Sequence, residues 1–370
     1  MRTFRLAATM GALAMGAGAG IGAGMGAGAQ SVKAAAGAGV AVVVNDAKHQ
    51  VDITVDGNPF TSYLWQTNQR KPVLYPLIAP DGTTVTRGYP FAMRPGERVD
   101  HPHHAGLWFN YSNANGFDFW NNSDAIKPEL RAKYGTITQD KIISAKSGKD
   151  SGELVTESTW IEGDAAAGNT KPILTETARY VFSKATIGGQ AARAIDLTIT
   201  LTGLEQVVFK DDKDGMLGIR VAHFLESPTE KGGTFMDANG IPTTVAAADT
   251  AGATGVYHTS EGKVGDAAWG TRGTWCWLTG TTSDAKTETI AVLDHTGNPG
   301  YPTYWHARGY GLFAVNPLGA RSFDAKTPAM NFTIEKGGSA TFRYRVLILS
   351  GAVTAEEMDH EAAGFDAKYQ

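Results

Sequence analysis

Apolar and polar residues alternate with a period of two along most of this chain. From Val40 onward, alternating or β-branched runs recur at Val40 to Val44, Val51 to Val55, Val73 to Ile78, Gly106 to Tyr111, Leu154 to Ile161 and Ile173 to Phe182. They continue at Ala194 to Leu201, Leu217 to Phe224, Thr289 to Leu293, Gly311 to Val315, Met330 to Ile334 and Thr341 to Leu349. A side-chain period of two is the signature of strands with one face buried. Turn-forming groups punctuate the runs, among them Asn45-Asp46, Asp56-Gly57-Asn58-Pro59, Asp81-Gly82 and Gly188-Gly189. The pattern predicts an all-β protein built as a large antiparallel β-sandwich. One helix is predicted, near the end. Thr354 and Glu357 are spaced as a capping box, ahead of a short amphipathic segment reaching about Ala363, with Gly364 as its stop.

The first thirty residues depart from this pattern. Arg2 and Arg5 precede an apolar, small-residue run from Leu6 to Met25, and Ala27-Gly28-Ala29 before Gln30 has the form of a signal-peptidase site. The expected organisation is a signal peptide over 1–29, a flexible Gly/Ala-rich lead-in over 30–39 and a single β-sandwich domain over 40–370. A second site of the same form lies at Ala34-Ala35-Ala36. Such a protein is expected to be periplasmic or secreted. The sole cysteine, Cys276, has no internal disulfide partner. No apolar stretch after the signal approaches the roughly 18 residues of a membrane span.

Composition narrows the partner. The formal net charge is -4, with lysine and arginine scattered rather than clustered, so the chain lacks the basic footprint of a nucleic-acid-binding protein. A neutral or mildly polar small molecule fits better. Gly-rich phosphate loops, nucleophile elbows and zincin helix motifs are absent from the sequence.

Candidate chemistry concentrates in two places. The first is Asp100-His101-Pro102-His103-His104, followed by Trp108-Phe109 and Asn115-Gly116-Phe117-Asp118-Phe119-Trp120, in a chain with nine histidines and eight tryptophans. Imidazoles serve as proton donors, acceptors or metal ligands near neutral pH, and aromatic faces suit sugar rings. Pro102 suggests a loop leading into the next strand. In an extended segment His101 and His103 would share one face and His104 the other. His103 and His104 are candidates for acid, base or metal ligand, with hydrogen bonding to loop carbonyls as the structural alternative. Asp118 is a general-acid candidate if buried, or else a turn aspartate. Trp108, Asn115 and Trp120 are candidates for substrate contact, the tryptophans equally for core.

The second place is Trp305-His306-Ala307-Arg308-Gly309-Tyr310. On a strand, His306, Arg308 and Tyr310 would share one face, presenting an imidazole, a guanidinium and a phenol suited to an oxygen-rich substrate. A divalent or transition metal is left open, with His101, His103, His104 and His306 as candidate ligands and His295, Asp118 or Glu176 as completing groups. The His-x-His spacing matches no closed metal motif.

These same motifs carry a resemblance. Asp-His-Pro-His-His at 100–104, Leu107-Trp108-Phe109, Asn115 to Trp120, Leu293-Asp294-His295 and Trp305 to Leu312 resemble the DUF6807 or PmoA family, whose members carry the label "methane oxygenase". The resemblance runs from about Tyr63 to Ser350. Thr296, Gly300-Tyr301 and Leu318 depart from the family's usual residues. It implies an exported bacterial protein of carbohydrate breakdown, with a supersandwich similar, by analogy, to galactose mutarotase. The membrane methane monooxygenase subunit sharing that label is built from spanning helices, which this sequence lacks. Three functions follow: a carbohydrate-active enzyme using His/Asp acid–base chemistry in hydrolysis, elimination or epimerisation; a noncatalytic carbohydrate-binding protein; or a metal-dependent oxygenase or oxidoreductase. The first requires His103, His104 and His306 to meet at one cavity.

Overall fold

Two large antiparallel sheets account for most strands of the structure, a computed structural model that describes residues 38–163, 168, 170–229, 231–245 and 252–369. The predicted signal peptide and residues 30–37 of the lead-in fall outside these. The first sheet has nine strands in the order Val40–Asn45, Gln50–Val55, Asn58–Leu64, Val73–Leu74, Leu107–Tyr111, Gly215–Arg220, Leu312–Asn316, Thr303–Arg308 and Arg272–Gly273. The second has eight: Val256–Thr259, Trp275–Thr281, Thr287–Asp294, Ser339–Ser350, Gln190–Gly203, Lys171–Ile187, Ser151–Glu162 and Gly135–Lys146. The protein is thus mostly β, a sandwich with a C-terminal helix.

Alternation explains the packing. Leu107, Phe109, Leu217, Ile219, Phe313, Val315 and Trp305 point inward from the first sheet to meet Trp160, Ile195, Leu197, Phe342 and Val346 of the second in one continuous core. The odd-even partners of these residues face the opposite way. Register places Trp108 beside Gly218, Gly218 beside Ala314 and Ala314 beside His306, a single row crossing four strands on the outer face. Gly218 is required there: a Cβ would come within 2.5 Å of the Trp108 ring, so the indole lies across the bare backbone. This outer face also buries apolar groups, namely Leu64, Val73, Tyr75, Trp108, Trp120, Leu312 and Ala314. The chain from Arg87 to His104 is therefore folded over a sheet that is buried on both sides.

Several boundaries differ from the sequence expectation. The run at Val73 pairs as a strand only through Leu74, because Pro76 has no N–H to continue a ladder. The run from Leu217 ends as a strand at Arg220 and passes into a single 3-10 turn at His223–Leu225. Strand Gly135–Lys146 is absent from the expected set because it lies at a sheet edge, where most of its residues stay partly exposed and its apolar alternation is weak.

The C-terminal helix, Ala355–Lys368, starts at the expected capping box but runs through Gly364. Tertiary contacts override the stop. Phe365 is fully buried against the outer side of the second sheet with Trp275, Trp277, Leu347 and Met358, while Lys368 Nζ and Tyr369 Oη both bond Asp196 Oδ2, at 2.7 and 3.0 Å. An interior glycine costs a helix about 1 kcal/mol relative to alanine, less than burying one phenylalanine returns. Phe365→Ala is expected to lower unfolding stability by about 3–5 kcal/mol, and Gly364→Ala to raise it by about 0.5–1 kcal/mol, both read from urea denaturation midpoints.

Candidate functional site

The histidine segment owes its shape to two buried cations from elsewhere in the chain. Arg87, 1% exposed, donates through Nη1 to the carbonyls of Arg98 and Asp100 and through Nη2 to those of His101 and His104. Lys71, 2% exposed, donates from Nζ to the carbonyl of His103 at 2.7 Å. Five main-chain oxygens of one short segment are thus satisfied by two side chains. The segment turns rather than extends: His104 N bonds His101 O, and His101 has φ +44°, in the left-handed region that costs a non-glycine residue energy. His101 and His103 therefore do not share a strand face, as an extended reading would have it.

Asp100 completes the anchorage. Its Oδ1 accepts from Arg87 Nη1 and Arg220 Nη2, both at 2.7 Å, and lies 3.2 Å from His101 Nδ1. Burial works to raise its pKa, but the hydrogen bond from His101 and the charges of Arg220 and Arg87 outweigh it and hold the carboxyl well below the usual range. Glu226, buried against Arg98 Nε at 3.1 Å, supplies a second carboxylate to the same cationic group.

Four aromatic rings stack outward from the sheet. His104 lies on Trp108 with centroids 5.2 Å apart, His101 on His104 at 4.9 Å and 6° between planes, and Tyr310 is stacked with His101 at 5.2 Å. Depth along this column sets what each ring can do. His104 is buried, its Nε2 accepting from Trp120 Nε1 at 3.2 Å and its Nδ1 lying 3.4 Å from Arg220 Nη1. Burial first, then the neighbouring His103 and Arg220, push its pKa well below the ordinary imidazole value, so it stays neutral. His103 is likewise held low, by burial and by Lys71, and its buried Nε2 has no protein partner. His101 is the member that reaches the surface, its side chain 43% exposed.

A cleft of about 480 Å³ opens beside the outer end of the column. Asp100, His101, Arg98, Arg308 and Tyr310 line it together with Ser227, Asp266 and Trp269. The Arg308 guanidinium stands 5.7 Å from the centroids of both Trp269 and Tyr310. Ser227 Oγ and Trp269 Nε1 are buried in its wall with no partner in the protein, which leaves polar groups for a ligand to satisfy. Among the described residues the cleft offers aromatic faces, the guanidinium groups of Arg98 and Arg308, two carboxylates and one accessible imidazole.

A family model described as a family of unknown function, DUF6807, matches residues 50–363. The chain belongs to the DUF6807 family. No curated protein matches it. Among solved structures, the DUF6807 chain is similar to the galactosidase domain of the α-galactosidase-sucrose kinase AgaSK, with 9% identity, TM-score 0.36 and 83% of this chain covered against 41% of that one. It therefore spans about two fifths of that structure's length. It is similar also to the α-galactosidase AgaA from Geobacillus stearothermophilus (12% identity, TM-score 0.35, 79% and 40% covered). A third is the galactose 1-epimerase from Lactobacillus acidophilus NCFM (12% identity, TM-score 0.32, 84% and 98% covered). All three are distant likenesses of overall structure.

The remaining predicted residues of the DUF6807 chain sit in three settings. Trp108 and Trp120 are each 1% exposed and pack against one another beneath the cleft, as core rather than as open stacking platforms. Asn115 occupies a turn, bonding Glu205, Gln206 O and Val208 N, and Asp118 accepts from Asn121 N and Nδ2 at 2.9 and 2.8 Å. Neither lines the cleft. His306 and Arg308 share a strand face, but the strand ends at Arg308, and Tyr310 belongs to the hairpin turn that follows. His306 is buried edge-on to Trp269 and Phe323, its Nδ1–H donating to Lys213 O at 3.0 Å. It makes no ring contact with the other three histidines and does not line the cleft with His101.

As metal ligands the four imidazoles of the DUF6807 chain are poorly disposed. Lone pairs lie in ring planes, and the near-parallel planes of His101 and His104 share no nearby point at which an ion could sit. His104 has Trp120 Nε1 at one nitrogen and Arg220 Nη1 near the other. Among the described residues no group of three or more His, Cys, Asp or Glu is arranged to hold a metal, and no helix is long and apolar enough to cross a membrane. The acidic run Asp211 to Asp214 serves structure: Asp211 caps residues 321 and 322 and bonds Met330 N. Asp100, Trp269, Asp266 and Ser227 were not among the predicted site residues. Asp100 carried a signal, its place beside the histidines.

Removing Arg87 strands four carbonyls and leaves Asp100 with Arg220 as its one guanidinium partner. Arg87→Met is expected to cost about 3–5 kcal/mol, with faster amide exchange confined at first to residues 98–104. His306 provides a pH test. Burial and the nearby Lys213 and Arg308 push it down to about 3, so between its unfolded value near 6.5 and that pH the unfolded chain binds a proton that the native one refuses. Its contribution is thus lost as pH falls below about 6.5. From pH 7 to 5 the wild type should lose about 1–2 kcal/mol more than His306→Gln, measured by urea unfolding at both pH values.

Proposed function

We propose that this DUF6807 protein is an exported carbohydrate-active enzyme that binds a sugar in the 480 Å³ cleft and exchanges protons with it through His101. One observation carries the reading: an ionised carboxylate, Asp100, lies 3.2 Å from Nδ1 of the one imidazole in the column that reaches the cleft. Asp100 stays anionic through its two guanidinium partners. It accepts the Nδ1 proton of His101, fixes the tautomer and leaves Nε2 to take or give a proton at the ligand. Trp269 and Tyr310 supply faces for the apolar side of a pyranose ring, Arg308 supplies donors for its oxygens and Asp266 a second carboxylate on the wall. Stacking between Tyr310 and the rest of the column restrains the His101 ring without sealing it.

A second reading, noncatalytic sugar binding, is favoured by a different observation. His103, His104 and His306 are all buried, which leaves the cleft a single imidazole where acid–base chemistry on both sides of a bond uses two groups.

A panel of reducing sugars and nitrophenyl glycosides, assayed for turnover and by calorimetry, separates the readings. The enzymatic reading expects turnover that falls about 100-fold or more in His101→Ala, with binding weakened about tenfold in Trp269→Ala and the fold of both variants intact by circular dichroism. Sugar binding that survives His101→Ala, with no turnover in either protein, selects the binding module. Neither binding nor turnover across the panel overturns both.

A further inference from the structure

A second cavity, of about 570 Å³, lies apart from the cleft and shares no lining residue with it. It opens between the loop around Arg70 and the start of strand Gly135–Lys146. Among the described residues its wall carries Arg70, Lys71 and Arg131 and no carboxylate. Trp65, stacked against His49 at 6.0 Å, forms a half-buried flat surface, continued by Pro72 and Ile137.

Two of the cations are incompletely satisfied. Lys71 is almost wholly buried; Nζ donates one hydrogen bond, to His103 O, and lies 5.5 Å from the Trp108 ring centroid, with no carboxylate among the described residues within ion-pairing distance. An ammonium has three donors, and burying it without a counter-charge is costly. Its response is a pKa brought down to about 7 by burial, offset in part by the more distant Asp118. Arg70 pairs through Nη2 with the exposed Asp124, but its Nε is buried with no partner. Arg131 reaches the carbonyl of Asp124 alone, at 3.3 Å. Donors without acceptors beside an indole face define a complementary ligand: one anionic oxygen pair attached to a ring with an apolar face.

We propose that this cavity is a binding site for a small ring-bearing carboxylate, its carboxylate held by Lys71 and Arg70 and its ring laid against Trp65. Two sources share that chemistry, a sugar acid and an aromatic acid. The site shares no lining residue with the sugar cleft and touches it only through Lys71, which holds the carbonyl of His103; its occupancy is expected to survive His101→Ala.

Calorimetry on the full protein tests this with matched pairs: D-galacturonate against D-galactose, and benzoate against benzyl alcohol. At least one acid is expected to bind tenfold or more tightly than its neutral counterpart. Lys71→Met and Arg70→Gln should each weaken that acid about tenfold, Arg131→Ala about threefold, and Trp65→Ala should weaken acid and neutral compound alike. Acid binding at pH 8 should also take up protons, seen as a heat that varies with buffer ionisation enthalpy, because the anion restores charge to Lys71. Should Lys71→Met fail to fold by circular dichroism, Arg70→Gln and the proton uptake decide the matter. Equal affinity for acid and neutral partner, no binding of either acid, or acid binding unchanged in Arg70→Gln overturns the assignment.

Discussion

A single guanidinium, that of Arg87, determines where everything near the cleft stands. It is buried beside a second cation, Arg220, and lost hydration first, then repulsion from that neighbour, bring its pKa down to about 9. Such a group persists in a protein interior only if oxygens surround it. The chain supplies them by wrapping the 98–104 segment around it, four carbonyls and the Asp100 carboxylate converging on one nitrogen pair. The shape of the histidine loop follows from solvating Arg87, and the positive φ at His101 is one of its costs.

This arrangement explains why a sheet with apolar residues on both faces carries a polar cleft at its margin. The Trp108, Gly218, Ala314 and His306 row is flat and dry in its middle. Stacked rings build up from Trp108 until the last of them, Tyr310 and His101, meet solvent. Polarity therefore increases with height above the sheet, and burial pushes the pKa of the two deep imidazoles, His103 and His104, down. Three histidines near one another in sequence become a buried acceptor, a buried unpartnered ring and an accessible one.

How much of this could be read from the chain follows the range of the interactions. Strands such as Leu154 to Ile161 and Thr341 to Leu349 announce themselves because alternation is local. The helix start at Thr354 is legible for the same reason, whereas its end depends on Phe365 finding Trp275 and Leu347 far away in sequence. Edge strands such as Gly135–Lys146, with no second layer on their outer flank, carry too little alternation to be seen. At the site, the density of histidine and aromatic residues pointed to the right segments, and Arg308, Tyr310 and His101 do line one cleft. The choice among imidazoles was illegible. It rests on Arg87, Lys71 and Arg220, which reach the loop from outside it, and on a turn at His101 that inverts the parity an extended segment would have. Asp266 and Trp269 come from the 3-10 turn at Gly265–Ala268 and its C-cap, and Ser227 from another loop, all remote in sequence from the histidines.

Arg87 and Lys71 grip the histidine loop mainly by its carbonyl oxygens, which every amino acid possesses. The scaffold thus recognises the path of the backbone and, Asp100 apart, is largely indifferent to which side chains the loop displays. Position 101 is in this sense an interchangeable socket on a fixed mount. Mutational drift there would retune the chemistry offered to the neighbouring solvent without loosening the architecture that presents it, so chains sharing this mount need not share a reaction.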